Sequence, residues 1–67
     1  MLRVQINGES REFDAPASLL DLLRSLDLDP RMVVVEHNRA IVRRPELAST
    51  PVHEGDRIEL VHFVGGG

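Results

Sequence analysis

Glu54-Gly55-Asp56-Arg57-Ile58-Glu59-Leu60-Val61-His62-Phe63-Val64-Gly65-Gly66-Gly67 closes the chain, and it reads as a turn, a strand and a run of glycines. Glycine between two acidic residues is turn chemistry at Glu54–Asp56. Arg57 to Val64 carries the longest strand signal after the N-terminal hairpin, with Ile58 and Leu60 on one side and Val61 and Phe63 on the other. The glycines that follow have no Cβ and no restriction on φ, and they lose the most entropy when ordered. Such a tail packs nothing, so as structure it is a frayed end. As a handle carrying a carboxylate into a narrow active site of another protein it makes good sense. Val64 to Gly67, fully extended, spans about 13–14 Å at roughly 3.3–3.6 Å per residue. The chain thus divides into a folded domain, residues 1–63, and a flexible glycine-rich tail, residues 64–67.

The elements upstream say what the last strand joins. Leu2, Val4 and Ile6 alternate with Arg3 and Gln5, the period of a half-buried strand. Asn7-Gly8 is the preferred pair for a two-residue type I′ turn. That turn sets Ile6 against Glu9, Val4 against Arg11 and Leu2 against Phe13, whereas a three-residue loop would move Phe13 to the wrong face. Ala15-Pro16-Ala17 breaks the second strand. Ser18 then caps a helix of about ten residues whose leucines at 19, 22, 23 and 26 form one apolar stripe, with Asp21 in the first turn. Asp29-Pro30 is expected to end it. Met32 to Val35 is a dense β-branched stretch suited to a central strand. His37-Asn38-Arg39 marks a turn before a short strand at Ala40–Val42, and Pro45-Glu46-Leu47 opens a single helical turn. One amphipathic helix needs a sheet to cover, which predicts an α+β roll with the helix across one face of a mixed sheet of four or five strands.

Composition narrows the function classes. The chain has 67 residues, 42% of them apolar, and a net charge of −3, so it forms one small domain. A mildly acidic surface argues against general nucleic-acid binding, which requires neutralised phosphates. No run of about 18 apolar residues is present for a membrane span. There is no cysteine, hence no disulfide, thiolate metal site or internal thiol nucleophile, which suits a cytoplasmic protein. All eight basic residues are arginine. Without lysine, no side chain of this chain accepts an isopeptide link.

Ile6-Asn7-Gly8, the Ser18-Leu19-Leu20-Asp21-Leu22-Leu23 helix opening, Asn38 through Arg43 and the closing Glu54–Gly67 run together resemble the ThiS family of thiamine-biosynthesis sulfur carriers, within the ubiquitin-like β-grasp superfamily. The molybdopterin synthase small subunit shares that fold and a Gly-Gly end, but it is usually longer and its last strand leads into a proline-containing tail that is missing here. The resemblance implies that Gly67 is the reacting residue. Its carboxylate would be adenylated by a ThiF-like adenylyltransferase using ATP, then converted to a thiocarboxylate, whose sulfur goes to a ThiG-like thiazole synthase. It also implies an external sulfur donor, a cysteine desulfurase or similar protein. A carboxylate is a poor electrophile, and coupling it to AMP supplies the leaving group that a sulfur nucleophile needs. The sequence has no glycine-rich phosphate loop between strand and helix, so the ATP site belongs to the partner, and the chain is a co-substrate with no bound cofactor. Carriage for molybdopterin, cysteine or tRNA thiolation, conjugation to other proteins as a modifier, and a β-grasp binding module are the competing classes.

Val61 and Phe63, with Val64, Gly65 and Gly66 behind them, are candidate partner-binding residues, unless the sheet edge or the 43–52 segment covers the first two. His37, His53 and His62 lack metal-ligand spacing and read as surface or turn residues. Asp27 and Asp29 read as capping and turn groups, Glu54 and Asp56 as turn residues, and Arg43-Arg44 as a solvated pair. No nucleophile–base pair for self-contained catalysis is present.

Overall fold

The computed structural model describes residues 1–63. The proposed tail, Val64 to Gly67, lies outside the described residues. Strands β1 (Leu2–Ile6) and β2 (Glu9–Phe13) form the N-terminal hairpin, followed by helix α1 (Leu19–Ser25) and a 3-10 turn at Pro30–Met32. Strands β3 (Val33–His37) and β4 (Ala40–Val42) form a second hairpin, a longer 3-10 segment occupies Arg44–Ser49, and β5 (Arg57–His62) comes last. The sheet has five strands in the order β2-β1-β5-β3-β4. Strands β1 and β5 run parallel, and every other neighbouring pair is antiparallel. The mixed sheet with one main helix is thus the predicted roll.

The first hairpin has the predicted register, Leu2 opposite Phe13, Val4 opposite Arg11 and Ile6 opposite Glu9. Asn7 and Gly8 have φ of 50° and 84°, the two left-handed residues that a type I′ turn demands. The second hairpin turns the same way through Asn38 and Arg39, with φ of 50° and 74°. On β1, β3 and β5, Val4, Ile6, Val33, Val35 and Ile58 point inward and meet Leu19, Leu22 and Leu23 of the helix. Leu47 of the longer 3-10 segment and Val52 close this core on the helix side.

Helix α1 is shorter than the spacing of its leucines suggests. Ser18 is its N-cap, and its Oγ accepts the Asp21 N–H at 3.2 Å. The helix ends at Leu26, not at Asp29-Pro30. Asp27 adopts a left-handed φ of 62°. Its N–H donates to the Arg24 carbonyl at 3.0 Å, and the Leu28 N–H donates to the Leu23 carbonyl at 3.0 Å. Those two bonds are a Schellman motif, usually built on glycine and here built on aspartate. Leu28 then packs back onto the core. Pro30 does not stop the helix but starts the following 3-10 turn, capped by Asp29, and Met32 belongs to that turn and not to β3.

Candidate functional site

Strand β5 is the central strand, and it leads directly to the residues singled out for function. Its inward side chains are Ile58, fully buried, and Leu60, half-buried. Val61 and Phe63 stand on the opposite face and are 58% and 50% exposed, so neither the sheet edge nor the 43–52 segment covers them. That segment packs its Leu47 into the core on the helix side. Val61 lies opposite Val34 of β3, which is also exposed, and Glu36 of β3 lies opposite Ile41 of β4, exposed too. Val34, Ile41, Val61 and Phe63 therefore place apolar side chains on the sheet face that the helix leaves open. Val34 escaped the sequence reading because the Val33-Val34-Val35 run resembles a strand buried on both sides. Here α1 covers only one side, and alternation puts the middle valine outside.

Phe63, the last described residue, is fixed by backbone. The Phe63 N–H donates to the Met32 carbonyl at 2.8 Å, one rung beyond the Val33–His62 pair. Beside Phe63 runs a shallow groove of about 470 Å³, lined in part by Val34, Arg31, Arg43 and Arg44. Arg31 is engaged there in a 2.8 Å ion pair with Asp29. Its side-chain hydrogen bonds, then its backbone N–H, hold the Asp29 carboxyl at about 2. Arg43 and Arg44 are exposed and form no ion pair among the described residues. Phe63 thus stands beside two exposed cationic side chains, Arg43 and Arg44.

The opposite end of β5 is held by a polar cluster that the sequence did not announce. Asp56 is buried, and its Oδ2 accepts from His37 Nε2 at 2.7 Å and from the His53 N–H at 2.8 Å. Its Oδ1 accepts from Asn38 Nδ2 at 3.1 Å. Burial opposes ionisation of Asp56, but the hydrogen bonds from His37, His53 and Asn38 outweigh it and hold the carboxyl below its ordinary range. His37 is accordingly not a surface residue and Asp56 is more than a turn residue. Both belong to an anchor joining the β3–β4 turn to the start of β5. Asn38 completes it, as its Oδ1 accepts the Arg57 N–H at 2.8 Å and its own N–H donates to the Arg57 carbonyl at 2.7 Å. The partners lie 18 and 19 residues apart in sequence, and no local pattern joins them. No cluster of three or more metal-ligating side chains forms among the described residues. No described helix is long and apolar enough to cross a membrane.

Comparison with known proteins adds a consistent set of likenesses. The sequence model of the ThiS family matches residues 4–67. The chain is 42% identical over 66 residues to a thiazole synthase of Paramagnetospirillum magneticum, a match covering 98% of this chain and 20% of that one. It is 35% identical over 65 residues to the sulfur carrier protein ThiS of Bacillus subtilis, covering 96% of this chain and 98% of that one. The crystal structure of the thiamine biosynthesis protein ThiS from Geobacter metallireducens superposes with a TM-score of 0.81 at 29% identity, over 98% of this chain and 100% of that one. That likeness identifies the roll as a β-grasp. The chain spans about a fifth of the length of the thiazole synthases that it matches.

Proposed function

The chain belongs to the ThiS family, and from that premise we propose that it is a sulfur carrier of thiamine biosynthesis, with the carboxyl group of Gly67 as the reacting group. The observation that carries the site assignment is the placement of Val61 and Phe63. They are exposed on the uncovered face of β5, next to the residues that lead into the glycines, with Phe63 tied by its backbone to Met32. A partner that grips this face holds the body of the carrier while Val64, Gly65, Gly66 and Gly67 enter its active site.

The reaction divides into two steps. A carboxylate oxygen of Gly67 attacks the α-phosphorus of ATP and pyrophosphate leaves. A sulfur nucleophile then adds to the acyl carbon and AMP leaves with the bonding electron pair. With sulfide as nucleophile the product is a thiocarboxylate, with one oxygen of the carboxylate replaced by sulfur. The mixed anhydride supplies the electrophile that the resonance-stabilised carboxylate is not. The chain's own residues contribute docking and reach. The adenylating machinery is a ThiF-like partner, and the sulfur comes from a cysteine desulfurase or a protein of that kind. All of this takes place in the cytoplasm. Thiazole synthase is the acceptor. Two relatives that bear that name contain a stretch matching this chain within a polypeptide about five times as long, which supports a working association of the two units.

Incubation with ATP, a ThiF-like adenylyltransferase and sulfide, followed by intact-mass measurement, tests the reading. The expected result is replacement of one oxygen by sulfur in the full chain and no change in a chain lacking Gly66 and Gly67. Charging of the shortened chain, or covalent attachment of the full chain to amines of other proteins in place of the sulfur exchange, overturns it.

A further inference from the structure

The β1–β5 ladder ends at the Ile6–Ile58 pair and a last backbone bond from the Asn7 N–H to the Ile58 carbonyl at 2.9 Å. Beyond it the β1 chain turns away through Gly8, while β5 continues for four residues to His62. Alternation directs the backbone groups of Leu60 to that vacated side. The Asn7 side chain takes the place of the missing strand. Its Oδ1 accepts the Leu60 N–H at 2.7 Å, and its Nδ2 donates to the Leu60 carbonyl at 3.2 Å. Strand β5 is thereby supported on both edges as far as Leu60, three residues before Phe63.

Turn chemistry does not require this residue. Aspartate and glycine also serve at the first position of a type I′ turn. A carboxamide offers an acceptor to the N–H and a donor to the carbonyl of one residue, which neither aspartate nor glycine does. We propose that Asn7 is a positioning residue for sulfur charging, whose carboxamide fixes the direction in which β5 delivers Phe63 and the glycine tail to the activating partner. This role rests on the sulfur-carrier reading. With the clamp removed, β5 beyond Ile58 is held from the β3 side alone, and the partner must order it on binding. The loss therefore falls on KM for the carrier and not on kcat.

The test measures charging kinetics and amide hydrogen exchange for the full-length chain and two variants. Asn7→Gly keeps a residue content with positive φ and removes the side chain. Asn7→Asp keeps an acceptor for the Leu60 N–H and loses the donor. Asn7→Gly is expected to speed exchange at Leu60 and to raise KM about three- to tenfold, the range set by one net hydrogen bond, with kcat changed less than twofold. Asn7→Asp is expected to fall between it and the parent. Ser18→Ala, which removes a helix cap in the other layer, controls for general loss of stability. Unchanged KM in Asn7→Gly, or an equal rise in KM in Ser18→Ala, overturns the role of Asn7 and leaves the carrier reading standing. A parent chain that takes no sulfur at all overturns both.

Discussion

Ile58 and Val61 are three residues apart on one strand and lead opposite lives. Ile58 is sealed beneath Leu19, Leu22 and Leu23, whereas Val61 is 58% exposed beside Val34 and Phe63. The backbone is the same and the side chains are alike, so hydrophobicity alone cannot tell them apart. What differs is cover: the only α-helix among the described residues lies on one face of the sheet, and the other face keeps apolar side chains that folding does not use. On the reading proposed above, those side chains are the ones a partner grips. One face holds the molecule together, and the other keeps apolar side chains in solvent.

Mutations sharpen this contrast. Leu23→Ala and Ile58→Ala each empty a fully buried site, and each is expected to cost about 2–5 kcal/mol in denaturant unfolding. An unchanged unfolding midpoint in either would break the assignment of the covered face. Asp56→Asn comes next. It removes charge-assisted bonds at the start of β5 and sets an amide donor against the His37 and His53 donors, an expected loss of about 1.5–3 kcal/mol near neutral pH. The folded Asp56 carboxyl ionises more readily than its unfolded counterpart. Its contribution is therefore complete above the unfolded value of roughly 3.9 and is lost as pH falls through the lower folded value. Stability curves of parent and Asp56→Asn should converge on acidification below about pH 4, and curves that stay parallel would remove Asp56 as the cause. Phe63→Ala has the smallest effect on folding. It is expected to shift stability by less than about 1 kcal/mol while weakening binding to the adenylyltransferase about tenfold, the behaviour of an interface anchor. A large loss of stability with unchanged binding would return Phe63 to the core.

Much of this was legible in the sequence where the signal is local. The two-residue Asn7-Gly8 turn fixes the hairpin register, and Ser18 with the leucine spacing fixes where α1 starts and which side it buries. The end of α1 was not legible, because Asp27 takes a backbone conformation that composition assigns to glycine. The outward pairing of Val61 and Phe63 followed from alternation, but their exposure depended on where the 43–52 segment packs. The Asp56–His37–Asn38 anchor and the Asn7 clamp were invisible for a different reason. Each joins a turn to a strand through side-chain bonds across tens of residues, and in sequence both asparagines already had a sufficient explanation as turn formers.

The parallel alignment of the first and last strands has a practical consequence. Met1 is 82% exposed, and the residue two places on, Arg3, takes the Gly55 N–H on its carbonyl at 2.8 Å, ahead of the point where β5 begins. Met1 therefore sits at the far pole of the sheet from Phe63, about ten residues of strand rise or roughly 30 Å away. A fluorophore or purification handle joined ahead of Met1 stands clear of exposed Val61 and Phe63. Because residues 1–67 hold no lysine, amine-directed dyes meet no side chain on the sheet or the helix.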